Sequence, residues 1–467
     1  MLNYDEPILF RVVSAVCLTY VVLTANAALA QKSDRPVPVA AEVYQPTAFP
    51  DRVLLTFTGD PAHTQAVTWR TDGTVANAQG QVALADHGPQ FESQARSVPA
   101  ATVPLVTKAG EARCHSVVFE GLEPRTRYLY RVGDGTHWSE WAAFQTAAIG
   151  PEPFRFLYLG DAQNSIKSHW SRVIRAAFAS APDARFIVHA GDLVNRATDD
   201  SNWGEWFQAA GWINAMIPSL PSPGNHEYEK SREEIARDSS PSITCHWCAQ
   251  FALPQNGPKG LEETAYFVDY QGARIISLNS NEGLEKQADW LHEILGRNPN
   301  RWTIITFHHP IYSSAKERDN ARIRQLWQPI FDKYHVDLVL QGHDHTYART
   351  GLQTASAGDS STSAANPGSG TVYVNSVSGP KQYSLDCKPE QKRTAEGIQL
   401  YQVVSIDGDT LRLEARTALG ELYDAFTLKK RHGLGNELIE QGPGTPERHS
   451  QVPAEKPKAR VTAALLN

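Results

Sequence analysis

Five short blocks of this sequence carry side chains able to hold a cation or move a proton: Gly160-Asp161, Gly191-Asp192, Gly224-Asn225-His226, His308-His309 and Gly342-His343-Asp344-His345. Carboxylate, amide oxygen and imidazole suit hard or borderline divalent cations and iron, and the lack of thiolates among them argues against a structural zinc site. Even two carboxylates, one amide and three imidazoles drawn from these blocks are too many for one open catalytic ion. They suit two ions about 3.5–4 Å apart that share a carboxylate, an arrangement that clamps the attacking and leaving oxygens of an in-line phosphoryl displacement. A water held by such ions loses a proton near neutral pH and becomes the nucleophile.

A Gly-Asp pair by itself says little. The sequence has six, and those at Gly59, Gly133, Gly358 and Gly408 read as turn chemistry. The pairs at Gly160 and Gly191 instead end apolar runs. Asp192 lies 31 residues after Asp161, Asn225 lies 33 after Asp192, and His343 lies 35 after His308. A strand-helix-strand unit takes about 30 residues, so each step returns the chain to the same sheet edge.

The elements needed for that return are visible as alternating patterns. Strands are predicted over 154–159, 184–190, 273–279, 301–307 and 336–340, and helices over 168–181, 202–217, 284–297 and 320–334, with Ser168 as an N-cap. The alternation predicts a largely parallel sheet with helices on its faces, which places ligands at the carboxyl ends of its strands. Residues 38–148 differ, with short runs such as 53–58, 66–69 and 128–132 broken by turn residues, and are expected to form a small all-β sandwich without a cluster of catalytic side chains. The stretch 122–130 together with Phe144-Gln145-Thr146 resembles the end of a fibronectin type III-like domain.

The five ordered blocks, extended by Leu193-Val194, Glu227 and Ile305-Thr306-Phe307, resemble those of the calcineurin-like metallophosphoesterases, and the β-sandwich in front points to the purple acid phosphatase branch. The resemblance covers about 49–429. It implies a four-layer α/β/β/α catalytic domain over 153–429 and a hydrolase of phosphoric esters. It further implies that Asp161, Asp192 and His345 hold one metal, that Asp192 bridges to a second completed by Asn225, His308 and His343, and that His226 donates the proton to the leaving group. The branch carries a tyrosine where this chain has Asn195, and related enzymes carry a histidine where it has Gln163. Either amide would be a weaker, neutral extra ligand. Loss of the phenolate favours divalent manganese, zinc or ferrous iron over ferric iron. His309, Arg318, Asn320 and Arg322 are candidate substrate-binding residues near the same edge, although the last three also suit an ordinary helix start.

The remaining features bound the setting. The 467 residues carry a formal charge of −7, so there is no basic field for a nucleic acid, and the substrate is expected to be a small phosphoester. Residues 12–23 form an apolar run followed by Ala28-Leu29-Ala30, which reads as a signal segment, 1–30, and a secreted or periplasmic protein with no other membrane span. Of the five cysteines, Cys245, Cys248 and Cys387 are candidate disulfide partners, and residues 430–467 are expected to be a disordered tail. The functional expectation is a dimetal phosphomonoesterase of the acid phosphatase type. A phosphodiesterase using the same centre and a surface binding protein with a degenerate metal site are the alternatives.

Overall fold

In a computed structural model of the chain, the described residues are 41–107, 110–229, 242–355, 370–432 and 434–449. The expected signal segment and most of the Ser/Gly/Ala-rich loop at 355–370 lie outside them. Four larger sheets are present. Two four-stranded antiparallel sheets make the N-terminal sandwich, one containing Gln65–Asp72 and Gly110–Phe119, the other Gln79–Leu84 and Arg127–Gly133. Their inner faces close on Leu55, Val67, Trp69, Val117, Phe119, Tyr130 and Phe144. The alternation seen in the sequence is this in/out pleat.

The region after the sandwich contains two seven-stranded sheets, the two β layers of the four-layer α/β/β/α arrangement that the resemblance implies, where strand-helix alternation alone predicted one sheet. In the first, Phe154–Leu159, Ile187–Ala190 and Ser219–Ser222 run parallel, and Leu400–Asp407, Thr410–Thr417, Leu422–Lys429 and Glu437–Glu440 continue it antiparallel. In the second, Ala273–Ser277, Trp302–Phe307, Leu338–Gln341 and Val372–Asn375 are parallel between antiparallel edges. Both sheets are therefore mixed, not largely parallel. Ile304, Leu338 and Leu340 pack into the core shared with the first sheet, whereas their neighbours Ile305 and Val339 pack outward with Leu291, Trp327 and Phe331 of the helices Leu284–Gly296 and Ala321–Lys333. Strands buried on both faces lose polar alternation and read as continuous apolar runs. Helices Ser171–Ser180 and Asp200–Ala210 cover the first sheet through Val173, Ile174, Trp203 and Trp206.

Three local expectations change. Ser168 lies inside a π-helical turn, Ile166–Trp170, that precedes the α-helix, so it does not cap it. The next helix runs Asp200–Ala210 rather than 202–217, and Asp199 caps it by accepting from Ser201 N. Part of the expected tail is ordered: Glu437–Glu440 is an edge strand against Leu422–Lys429, held by Arg349–Glu440 at 2.7 Å and Asn436–Asp337 at 2.6 Å. Its charged ends suit an edge strand and gave no apolar signal.

The sandwich and the catalytic region meet through a buried ionic junction. Asp200 takes both Arg52 and Arg70 at 2.8 Å, Arg70 also grips Asp51 at 2.6 Å, and Arg52 reaches Gln250 at 2.7 Å. Tyr130 donates to the Ala215 carbonyl at 2.7 Å, and Leu55 N to that of Asn214.

Candidate metal centre

The loops leaving the carboxyl ends of Phe154–Leu159, Ile187–Ala190, Ser219–Ser222, Trp302–Phe307 and Leu338–Gln341 meet at one place. Asp161 N donates to Gly191 O, Gln163 N to Asp192 O, and Gly342 N to His308 O, so each loop is stitched to a neighbour. The glycines permit the approach. A Cβ on Gly224 would lie 2.2 Å from Asp192 Oδ1, and one on Gly342 would lie 2.3 Å from Asp161 Oδ2. These positions need glycine for space, since neither has a positive φ. Asp161, Asp192, His343 and His345 themselves adopt φ of 45°, 51°, 74° and 49°, a left-handed conformation uncommon outside glycine.

His308 organises one half of the site. Its Nδ1 lies 2.9 Å from the Ala190 carbonyl and must donate there, because a carbonyl only accepts. Its Nε2 then faces Asp192 Oδ2 at 3.2 Å, Asn225 Oδ1 at 3.1 Å and His343 Nδ1 at 3.0 Å. With Nδ1 donating, a neutral His308 presents its Nε2 lone pair beside the oxygens of Asp192 and Asn225, a set of electron-pair donors that a cation among them would satisfy. In the other half, His345 Nδ1 donates to Lys381 O at 2.9 Å, and its Nε2 lies 3.5 Å from Asp161 Oδ1. Gln163 is fully buried there, its Nε2 2.5 Å from Asp192 Oδ2 and 3.3 Å from His345 Nε2, and its Oε1 has no partner. Turning that amide over would present the oxygen to a cation.

Burial lowers the His308 imidazole, but Asp192 and Asp161 outweigh it and push that ring up to about 9, so without a metal a proton on His308 supplies the positive charge. Burial pushes the Asp161 carboxyl well above the usual range, with His308 opposing and Asp192 reinforcing the rise. Burial also pushes Asp192 upward, but His308 and His226 outweigh it and hold that carboxyl below the usual range. Two facing buried carboxylates do not both ionise comfortably unless an added cation offsets them. Burial lowers the His345 imidazole to about 3, with Lys381 adding, and depresses His343 as well, which keeps both rings neutral as metal ligands must be. The residues present fit two cations.

Each further residue named from the sequence has a definite place. His226 donates Nδ1–H to the Asn195 backbone carbonyl at 2.6 Å, which leaves Nε2 facing the site, 3.9 Å from Asp192, with the ring about one quarter exposed. Asn195 thus acts here through its main chain. His309 shares a hydrogen bond with Ser280 Oγ at 2.8 Å and packs its ring 4.3 Å from that of His343. Arg318 donates to the His343 carbonyl at 2.9 Å and lies over the Tyr383 ring, itself 4.6 Å from His345. Asn320 and Arg322 are not brought to the centre: Asn320 donates to Pro310 O, and Arg322 pairs with Glu285 on the surface. Cys245, Cys248 and Cys387 are free thiols, not disulfides, with Cys387 turned toward His449 at 4.0 Å.

Two buried carboxylates that sequence reasoning did not single out hold the loops. Glu227 accepts from the backbone N–H groups of Gly224 at 2.7 Å, Asp192 at 2.9 Å and Leu193 at 3.0 Å. Asp344 Oδ2 accepts from Ser313 Oγ at 2.7 Å and from the N–H groups of Ser314 and Ala315 at 2.6 and 3.1 Å. Glu227 had half of a local signal, since a glutamate three residues after a helix N-cap can reach back to the N-cap N–H, as it does to Gly224, although glycine has no side chain to return the bond. The Asp344 contacts, some thirty residues away along the chain, had none.

Comparisons with known proteins agree with this architecture. Residues 154–347 match the calcineurin-like phosphoesterase family, and residues 50–146 match the purple acid phosphatase N-terminal domain. An uncharacterized protein of Mycobacterium tuberculosis is 28% identical over 326 residues, covering 61% of this chain and 59% of its own length. Acid phosphatase type 7 of Homo sapiens is 27% identical over 334 residues, 65% of this chain and 71% of that protein. A purple acid phosphatase from yellow lupin (Lupinus luteus) seeds shares the fold, with a TM-score of 0.68 and 18% identity over 82% of this chain and 74% of that one. Residues 154–347 are thus a calcineurin-like phosphoesterase domain by their family match, and together with the N-terminal β domain at 50–146 they make the chain similar to the purple acid phosphatases. That family consists of metal-dependent phosphoric ester hydrolases that use a dinuclear metal centre.

Proposed function

We propose that this chain hydrolyses phosphomonoesters at a dinuclear centre, with Asp161, Asp192 and His345 toward one metal and Asp192, Asn225, His308 and His343 toward the other. The observation that carries the reading is His308 Nε2, with the Asp192 and Asn225 side-chain oxygens and His343 Nδ1 all within 3.2 Å of it. When bound, two such cations supply Lewis acidity and an activated water. The chain's own part is orientation: the Ala190 and Lys381 carbonyls fix the tautomers of His308 and His345, and the Asn195 carbonyl fixes that of His226. His226 Nε2, at the open side of Asp192, then holds the proton for the leaving oxygen. Arg318 and His309 flank the same mouth and suit an anionic substrate. Relatives named acid phosphatases favour monoesters, and Gln163 and Asn195 in place of charged or phenolate ligands favour divalent ions. Export to the periplasm or medium fits the sequence of residues 1–30, and no helix among the described residues is long and apolar enough to cross a membrane.

Elemental analysis of the purified chain together with rates on a chromogenic monoester and its bis-ester tests this reading. Two transition metals per chain and a faster monoester are expected. A faster bis-ester would make the enzyme a diesterase, and less than one metal with no activity after metal supplementation would make it a binding protein. An intense visible band that bleaches on reduction would show a ferric phenolate and overturn the divalent assignment.

A further inference from the structure

The segment Cys245-His246-Trp247-Cys248 forms the first turn of the short helix Cys245–Gln250, away from the proposed metal ligands. Both thiols are free and exposed, while His246 and Trp247 between them are buried. Residues three apart on a helix share a face, and their Cα separation falls in the range a disulfide spans. The two cysteines have unlike surroundings. Cys245 Sγ lies 3.9 Å from His246 Nδ1, and the other ring nitrogen, Nε2, lies 3.5 Å from Asp200 Oδ1, with both side chains almost fully buried. Cys248 has no such partner among the described contacts.

We propose that Cys245 and Cys248 form a redox-active dithiol, with Cys245 the attacking thiolate, His246 its proton acceptor with the Asp200 carboxylate at ion-pair distance from the ring, and Cys248 the resolving thiol. The co-reactant is a small-molecule disulfide. Cys245 gives its proton to His246, and the thiolate attacks one sulfur of the disulfide; the new S–S bond forms as the old one breaks, releasing one thiolate. Cys248, deprotonated in turn, attacks the Cys245 sulfur, closes the Cys245–Cys248 disulfide and releases the second thiolate. The chain loses two electrons and two protons, and the small disulfide becomes two thiols. The direction of the thiol shifts agrees with this division of labour: the contact with His246 draws Cys245 below the ordinary thiol range, whereas burial raises Cys248. A thiolate-stabilising neighbour on an accessible cysteine is what such exchange requires.

The test is made on the full chain. In one wild-type sample at neutral pH, Cys245 is expected to alkylate with iodoacetamide about ten times faster than Cys248 or the exposed Cys387, read by peptide mass spectrometry. With oxidised glutathione, the 245–248 peptide is expected to lose two hydrogens and recover them with dithiothreitol. Cys248→Ser should trap glutathione on Cys245, and Cys245→Ser should trap far less on Cys248. Equal alkylation of the three cysteines, an unchanged 245–248 peptide after oxidised glutathione, or first capture on Cys248 would each overturn the proposal. The wild-type competition needs no variant to fold.

Discussion

Two buried ionic clusters in this molecule are built from opposite arithmetic. At the junction with the sandwich, Arg52 and Arg70 face Asp51 and Asp200, so two guanidiniums meet two carboxylates through paired contacts of 2.6–2.8 Å. At the strand ends, Asp161 and Asp192 receive backbone N–H groups, an amide and imidazoles, and no Lys or Arg hydrogen-bonds either carboxylate among the described residues. A buried ion costs several kcal/mol unless matched. The first cluster is matched from within the chain and reads as architecture. The second is left for a cation from outside, and that difference separates a structural ion network from a metal centre more cleanly than composition does.

The contrast can be broken from either side. Asp192→Ala should lower kcat/KM by about a thousandfold or more and reduce the metal content per chain, while shifting thermal unfolding of the metal-stripped protein little. Asp200→Ala should do the reverse, costing about 3–5 kcal/mol of stability in urea unfolding because two guanidiniums lose a partner, with metal content unchanged. Equal loss of metal in both variants would erase the distinction. His226→Ala should slow esters with poor leaving groups about a hundredfold and those with good ones much less, read from the slope of rate against leaving-group pKa. Glu227→Gln should weaken metal binding about tenfold or more in chelator competition, since its carboxylate positions the Asp192 and Asn225 loops without reaching the reacting atoms.

The smallest expected effect is a pH dependence of the junction. Burial pushes Asp200 up, but His246, Arg52 and Arg70 outweigh it and hold it below the usual range. A lowered folded value means its stabilisation is complete above the unfolded value of about 3.9 and fades as pH falls through the folded one. Thermal unfolding between pH 5 and pH 2 should therefore be steeper for the wild type than for Asp200→Asn.

The centre was legible in the sequence because its donors sit at strand ends and recur at strand-helix-strand intervals. The second sheet was legible only through the family resemblance and not from periodicity, since Trp302–Phe307 and Leu338–Gln341 are apolar on both faces and say nothing about which sheet they join. Ser219–Ser222 is only four residues long and contains Pro221, features of an edge strand that periodicity misses. Asp344 received no role of its own within the Gly342-His343-Asp344-His345 block, because what it binds lies near Ser313. Long-range hydrogen bonds leave no local period, and the loop-holding carboxylates were missed for that reason.

The left-handed backbone at Asp161, Asp192, His343 and His345 has a thermodynamic consequence. Each such residue costs about 1–3 kcal/mol relative to relaxed geometry, and all four contribute atoms to the same centre. A cation that binds only this arrangement raises the unfolding free energy by mass action. The melting temperature of the chain should then follow the free concentration of its cation, so that calorimetry of the intact protein doubles as a titration of metal supply.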